Sequence, residues 1–180
     1  MKVYEQPYRH IKCYDFLPPG EYGRLVDGLP LLDWELYCKS SYNYHVSSID
    51  YETQYYKVNQ EIVAKFISAD FIRLLSGTLE IDLDKCKNFT FHRMDVGDFS
   101  FRHTDKNQYG ELARVVYFLT EPGEYQGGDL KLFDLSGKEI HEVLRMPANS
   151  FFSFRLTDKF YHEVETVTDG SRYCISITYH

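Results

Sequence analysis

The sequence of 180 residues has no long apolar run and no block of basic residues. A membrane-spanning helix needs about 20 consecutive apolar residues, so none is expected here. The formal net charge is −7, whereas a protein that binds mainly nucleic acid needs a basic face to neutralise phosphates. The amino-terminal residues also lack the apolar segment of a secretory signal. We therefore expect a cytoplasmic protein that binds neither nucleic acid nor membranes.

Cysteine is also scarce, and the four cysteines, Cys13, Cys38, Cys86 and Cys174, are far apart. None belongs to a Cys-x-x-Cys pair, which argues against a zinc ribbon or a thioredoxin-type motif. We expect free thiols in a reducing compartment. Aromatic residues are abundant instead, with 16 Tyr, 13 Phe and a single Trp. Aromatic side chains favour strands, and tyrosine also suits binding surfaces.

The first part of the chain, to about residue 88, mixes predicted helices and strands. Residues 18–29 predict a helix that begins at proline and ends at Gly28. Residues 58–77 predict the longest helix, because their apolar side chains recur at helical spacing and Gly77 offers a stop. The apolar positions are Ile62, Val63, Phe66, Ile67, Phe71, Leu74 and Leu75.

Between these helices, residues 33–57 are rich in Tyr and Ser and show no helical face. We expect a strand, an exposed loop and a second strand. Two interpretations remain open: a structural hairpin at the edge of a sheet, or a mobile lid over a substrate. If it is a lid, it selects the substrate together with the loop at 106–111. Tyrosine and acidic side chains around such a cleft would suit a peptide or a cationic amino acid.

Residues 89–180 are typical of short strands separated by turns rich in Gly, Pro, Asn and Asp, a pattern that favours a sandwich or barrel. The predicted strands are 89–94, 99–105, 113–119, 129–134, 150–156, 162–167 and 172–179. No linker divides the chain. We expect one domain over 1–180, with a supporting and lid region at about 1–88 and a barrel core at about 89–180.

One predicted strand ends with His103 and Asp105, which are separated by a single residue. Composition alone would produce about 0.5 such pairs, so the motif is weak by itself. Residues two apart on a strand share a face, so both side chains would point the same way. His162 begins a late strand and could add a third ligand. Two His and one carboxylate form the facial triad of non-haem Fe(II) oxygenases.

Arg172 follows His162 by ten residues, and its guanidinium is a permanent planar fork suited to a carboxylate. Ser176 lies four residues further on the same strand face and could add a hydroxyl. Taken singly, each of these residues is more often structural than functional. Only their joint occurrence in this order, on strands of one predicted barrel, indicates a site.

The order of motifs resembles the 2-oxoglutarate and Fe(II)-dependent oxygenases, most closely their prolyl-4-hydroxylase-like branch. The motifs are H-x-D, "GGDLKLF" at 127–133, "MPANSFFSF" at 146–154, "HEV" at 162–164 and "GSRYCISI" at 170–177. The resemblance covers residues 89–180. It implies a mainly β fold with flanking helices, built on a double-stranded β-helix (jelly roll) with helices on one sheet.

The resemblance also implies the cofactors and the site residues. His103, Asp105 and His162 would bind Fe(II), and Arg172 would bind 2-oxoglutarate, with O2 as co-substrate and ascorbate as a further candidate. No other catalytic residue is implied. Because this branch often lines the co-substrate pocket with Tyr, Tyr117 is a candidate beside Ser176.

The activity implied by the resemblance is that of a 2-oxoglutarate-dependent dioxygenase. It would hydroxylate an unactivated C–H bond of a prolyl or other amino-acid residue, or of a free amino-acid-like small molecule, releasing succinate and CO2. A carboxylate at Asp105 favours hydroxylation, because related halogenases have a small residue there. Desaturation or cyclisation in small-molecule biosynthesis stays open, as does a non-catalytic jelly roll that binds a sugar or another small ligand. The oligomeric state also stays open.

Overall fold

Three helices and fourteen strands make up the parts of the chain that the computed structural model describes, residues 1–48, 54–105 and 110–180. The helices are α1 (Pro19–Asp27), α2 (Gln54–Ile67) and α3 (Ala69–Leu79), with a 3-10 turn at Leu29–Leu31. The strands are β1 (Lys2–Tyr4), β2 (His10–Cys13), β3 (Glu35–Lys39), β4 (Tyr42–Ser48), β5 (Cys86–Met94), β6 (Phe99–His103), β7 (Ala113–Phe118), β8 (Tyr125–Gly127), β9 (Leu130–Phe133), β10 (Ile140–Leu144), β11 (Ser150–Arg155), β12 (His162–Val164), β13 (Val167–Gly170) and β14 (Arg172–Tyr179).

Twelve of these strands form one curled antiparallel sheet, in the order β1-β2-β11-β7-β14-β5-β4-β6-β12-β9-β10, with β3 paired to β4. Strand β4 holds two parts of this sheet together. Its residues 45–48 pair with β5, and its residues 42–43 pair with β6. This is the jelly roll with flanking helices that the resemblance predicts, and that prediction is confirmed.

Alternation along the central strands separates a helix-facing core from the interior of the roll. On β14, Ile175 and Ile177 join the buried cluster formed with the helices, while Arg172 and Ser176 line the interior. Successive side chains on a strand point to opposite faces, so the same strand builds both the support and the site.

The helices cover one face of the sheet with aromatic and aliphatic side chains. Phe66 of α2 is completely buried and lies 5.2 Å from the ring of Tyr117 and 5.8 Å from the ring of Phe71. Burying one such side chain stabilises a fold by about 1.5–3 kcal/mol. The face of the sheet opposite the interior site is therefore a packed support.

The helix predicted at 58–77 is wrong as a single element, because two helices meet at Ser68. The Ser68 side chain accepts a hydrogen bond from the Phe71 backbone N–H at 3.2 Å, and Asp70 lies in the first turn of α3. A serine cap and an acidic first turn are both start signals for a helix. The apolar period continues across the junction, which hides the break. The helix predicted at 18–29 is confirmed as α1, followed by Gly28.

Several short strands were not expected. β1, β2 and β10 were missed, and β8 and β13 fall in segments predicted as turns. β8 and β13 pair with each other outside the main sheet. No helix in the described residues is long and apolar enough to cross a bilayer.

Candidate metal centre

The ends of two neighbouring strands bring His103, Asp105 and His162 together. His103 of β6 is directly opposite His162 of β12 in the antiparallel register. The His103 Nε2 lies 3.4 Å from one oxygen of Asp105, and the His162 Nε2 lies 3.2 Å from the other. All three candidate ligand atoms lie within 4.8 Å of one another.

Both imidazoles are oriented by the backbone of their own strand. The Nδ1 of His103 lies 2.7 Å from the carbonyl of Phe101, and the Nδ1 of His162 lies 3.3 Å from the carbonyl of Phe160. A carbonyl can only accept, so each Nδ1 carries the proton and donates it. This arrangement leaves the Nε2 atom of each ring facing Asp105. Metal-binding histidines typically have this arrangement, in which the second ring nitrogen donates to a fixed acceptor.

Asp105 is a carboxylate in an enclosed position, since its side chain is 9% exposed. Burial raises its pKa, but the Arg114 guanidinium and His162 outweigh that effect and hold the pKa well below its usual value. The Nη1 of Arg114 lies 3.1 Å from Asp105 Oδ2. The cluster therefore offers two imidazole nitrogens and one carboxylate oxygen as candidate ligand atoms.

This donor set fits the Fe(II) ion that the resemblance implies. Two imidazoles and one carboxylate on one side of a metal leave its remaining positions open for other ligands. Asp105 Oδ2 is buried and lacks a well-directed hydrogen bond in the structure. Arg114 Nη1 lies near this oxygen, but a buried carboxylate oxygen without a directed hydrogen bond is costly, and a divalent metal ion would satisfy it.

Arg172 lies in the same interior pocket and lacks an anionic partner among the described side chains. It is 3% exposed, its Nε has no hydrogen-bond partner, and its Nη1 contacts the sulfur atoms of Met94 and Cys174 at 3.6 Å. Its guanidinium also lies 5.4 Å from the ring of Phe118. A buried charge without a counter-ion is unfavourable, so this position suits an anionic ligand.

Ser176 lines the same pocket as Arg172, on the same strand and face. The Gly-Gly turn of the sequence motif also contributes here, because Gly128 passes close to Arg172. Gly128 has a φ of +65°, and a Cβ at this position would come 3.2 Å from the Cδ of Arg172. A side chain here would strain the turn and press on the arginine.

Tyr117 lies on the opposite face from the pocket, which contradicts its assignment to the co-substrate. It is completely buried against the helices, and its hydroxyl donates to the Oδ1 of Asn149 at 2.7 Å. The pocket-facing residues of β7 are its neighbours, Val116 and Arg114. The position of Tyr117 along β7 determines the face on which its side chain lies, whatever the residue type.

Replacing Tyr117 with Phe tests that correction. We expect a loss of about 1 kcal/mol of stability from the missing hydrogen bond and an unchanged KM for 2-oxoglutarate. Thermal or denaturant unfolding and a co-substrate titration measure the two effects. A raised KM with normal stability would return Tyr117 to the co-substrate site.

Arg114 and His92 are among the pocket residues that were missed from the sequence. Arg114 is a single charge within an apolar strand, and that isolation is the signal that could have identified it. His92 lines the pocket but does not belong to the cluster of candidate metal ligands. Burial, followed by the charges of Arg114 and Arg172, lowers the pKa of His92 to about 3, so its imidazole is neutral.

The hairpin β3–β4 forms one wall of the site. The ring of Tyr42 meets His103 edge-on at 4.9 Å, and the ring of Tyr44 stacks on His92 at 5.0 Å. Of the two strands only β3 is at an edge, because β4 is bonded to β5 and β6. The segment predicted as strand, loop and strand ends in a helix instead, since α2 begins at Gln54. Residues 49–53, including Tyr51, and residues 106–109 of the second predicted loop lie outside the described residues.

A second group of potential ligands, His45, Asp95 and Asp98, lies close together elsewhere. Its carboxylates already form hydrogen bonds and an ion pair with other residues of the protein. Asp95 contacts the Nε of Arg93 at 3.0 Å, and Asp98 accepts from Asn43 at 2.7 Å and from the Asp95 backbone N–H at 2.9 Å. We interpret this group as a structural cluster that stabilises the β5–β6 turn.

Comparison with known proteins agrees with this geometry. Residues 89–180 match the model of the 2OG-Fe(II) oxygenase superfamily. A PKHD-type hydroxylase from Acinetobacter baylyi is 37% identical over 90 residues, which are 50% of this chain and 37% of that protein. A PKHD-type hydroxylase from Rippkaea orientalis is 26% identical over 173 residues, covering 88% of this chain and 72% of its own length. The chain thus matches little more than a third of the length of the first relative.

Among solved structures, a prolyl-4-hydroxylase from Pseudomonas putida has a similar fold. The TM-score is 0.74 at 18% sequence identity, over 95% of this chain and 91% of that one. At this identity the similarity establishes the jelly-roll fold alone.

Proposed function

We infer, because the chain belongs to the 2OG-Fe(II) oxygenase superfamily, that it is a 2-oxoglutarate-dependent dioxygenase. Its proposed reaction is hydroxylation of an unactivated C–H bond. Fe(II), 2-oxoglutarate and O2 together supply the oxidising power, and succinate and CO2 are the co-products. The proposed unit is the single domain 1–180, in which the region before about residue 88 supports and encloses the roll.

The observation that carries this proposal is that the metal cluster shares one pocket with a buried arginine that lacks an anionic partner among the described side chains. His103, Asp105 and His162 would hold the metal, with both imidazoles fixed by backbone carbonyls. Arg172 would bind the far carboxylate of 2-oxoglutarate, and Ser176 would add a hydroxyl. A buried guanidinium and a dicarboxylate complement each other in charge and shape.

The hydroxylase assignment has support from the names of similar proteins. Two relatives are named PKHD-type hydroxylases, and one structural neighbour is a prolyl-4-hydroxylase. The ionised Asp105 also favours oxygen transfer over halogenation, because it fills the ligand position that related halogenases leave free. The proposed substrate is an amino-acid residue in a peptide or a free amino-acid-like molecule.

An anaerobic titration tests the proposal without a known substrate. Fe(II) and 2-oxoglutarate added together should produce a visible charge-transfer band with one-to-one stoichiometry, which neither gives alone. A non-catalytic jelly roll that binds a sugar or another small ligand would give no band. Absence of the band from correctly folded protein would overturn the proposed function.

The Tyr-rich hairpin offers a separate prediction about coupling of the reaction to substrate. Changing Tyr42 and Tyr44 together to Ala should lower the ratio of hydroxylated product to succinate, because the wall that excludes water is lost. Affinity for 2-oxoglutarate should change little. Product, succinate and melting temperature are measured on the same protein. A lower melting temperature with an unchanged ratio would show that the hairpin is only structural.

A further inference from the structure

Arg114 lies where the interior pocket meets a second, outer pocket. It lines the interior one with His162 and Arg172, and the outer one with Tyr42 and Lys39. Its side chain is 22% exposed, so it is accessible from the outer side. A molecule entering through the outer pocket would therefore meet this guanidinium beside the metal cluster.

Arg114 keeps hydrogen-bonding capacity after its contact with Asp105. Only its Nη1 is placed against that carboxylate, at 3.1 Å, and its buried Nε has no partner in the described structure. A guanidinium has five N–H donors arranged as a fork. The remaining N–H groups can donate to the oxygen atoms of a second ligand without releasing Asp105.

Arg114 and Arg172 enter the interior pocket from different positions along the roll. Phe118, whose ring lies against Arg172, is four residues beyond Arg114 on β7 and on the same face. Four residues of strand span roughly 13 Å. With Arg172 assigned to the far carboxylate of 2-oxoglutarate, Arg114 is left near the metal cluster for another ligand.

The charges of the loaded site leave an excess of positive charge. A divalent metal ion and dianionic 2-oxoglutarate cancel. Among the described side chains at the metal cluster and in the interior pocket, Arg114 and Arg172 are cationic and Asp105 alone is anionic. His92 adds no charge, because its imidazole is neutral. This lining argues against the cationic substrate considered from the sequence and favours an anionic one.

We propose that the substrate is a small molecule with a free carboxylate, which Arg114 binds at the junction of the two pockets. The proposal rests on the proposed function and specifies its substrate class. The outer pocket has a volume of about 380 Å³, which lies within the range of small-ligand sites. The rings of Tyr37, Tyr42 and Tyr44 would enclose the rest of the molecule. A neutral prolyl segment within a protein would offer Arg114 no anion beyond Asp105.

A mass-shift screen on a metabolite extract tests the substrate class. One half of the extract is treated to convert carboxyl groups to methyl esters, and the other half is mock-treated. Each half is incubated with the protein, Fe(II), 2-oxoglutarate and air. We expect a product with one added oxygen in the mock-treated half and a loss of that product after esterification.

Variants of Arg114 then test the residue with the acid so identified. Arg114→Gln should raise the KM for this acid by about 30-fold or more, as expected for the loss of a buried charge pair. The KM for 2-oxoglutarate should stay within about threefold. Arg114→Lys, which keeps a charge beside Asp105, should have an intermediate effect. Arg155→Gln, on an exposed position of β11, removes the same charge and should change neither KM.

The other outcomes overturn the inference in distinguishable ways. Equal product from the esterified half, or oxygen gain on protein alone, would exclude a small carboxylate substrate. If Arg114→Gln raises the KM for 2-oxoglutarate instead, Arg114 serves the co-substrate. Succinate without any oxygenated acid also contradicts the proposal. If neither succinate nor product forms in any sample, the proposed dioxygenase function fails first.

Discussion

A His162→Ala protein is expected to fold and to lose turnover by more than about 100-fold. Removing the hydrogen-bonding partner of a metal ligand typically costs 10–100-fold in affinity or activity, and removing the ligand itself costs more. His162 contributes the Nε2 that faces Asp105 across 3.2 Å, and alanine supplies no donor. Succinate production and Fe(II) affinity should fall together.

The control for this variant is His141→Ala. His141 is exposed on β10, so its loss removes an imidazole without touching the pocket. Circular dichroism and a melting curve establish that both variants are folded. Full activity in a folded His162→Ala protein would show that the metal is held elsewhere.

The second large effect is expected from Arg172→Met, which keeps most of the side-chain volume and removes the charge. A carboxylate left without its buried partner costs roughly 2–5 kcal/mol, so the affinity for 2-oxoglutarate should fall by about 30-fold or more. Fe(II) affinity should change much less, because the metal cluster does not include Arg172. Titration of each component into the anaerobic protein separates the two affinities.

Arg155→Met serves as the matched control, and Arg172→Lys should recover part of the affinity through its remaining charge. A lysine cannot reproduce the two parallel hydrogen bonds of a guanidinium, so recovery should be incomplete. An unchanged 2-oxoglutarate affinity in Arg172→Met would assign the co-substrate carboxylate to another cation in the pocket.

The strands of the roll were predictable where alternation and turn residues agree. β7, β11 and β14 begin at the predicted residues and end within one residue of the predicted limits. The shortest strands escaped prediction, because their pairing is decided by distant partners rather than by their own sequence. β13, for example, is a strand only because β8 lies beside it.

The residues of the candidate site also differ in whether local sequence or distant strand pairing determines their position. The spacing of His103 and Asp105 is local, so it can be recognised from one strand. Arg114 could not be placed, because its contact with Asp105 depends on which strands lie together across the roll. Tyr117 was misplaced for a related reason: a single step along β7 exchanges the pocket for the core, and the sequence does not label the two faces.

His103 and His162 occupy directly opposed positions on adjacent antiparallel strands, and this has a thermodynamic consequence. A metal ion bound by both would act as a non-covalent cross-link between two segments nearly sixty residues apart in the chain. Strand β12 is only three residues long, so few backbone bonds resist its separation from β6. Binding to the native state alone contributes about 2.7 kcal/mol of stability at a free metal concentration of 100 times Kd. The melting temperature would thus depend on metal availability. The loss of iron would weaken the pairing of β6 with β12, the two strands that carry the histidine ligands.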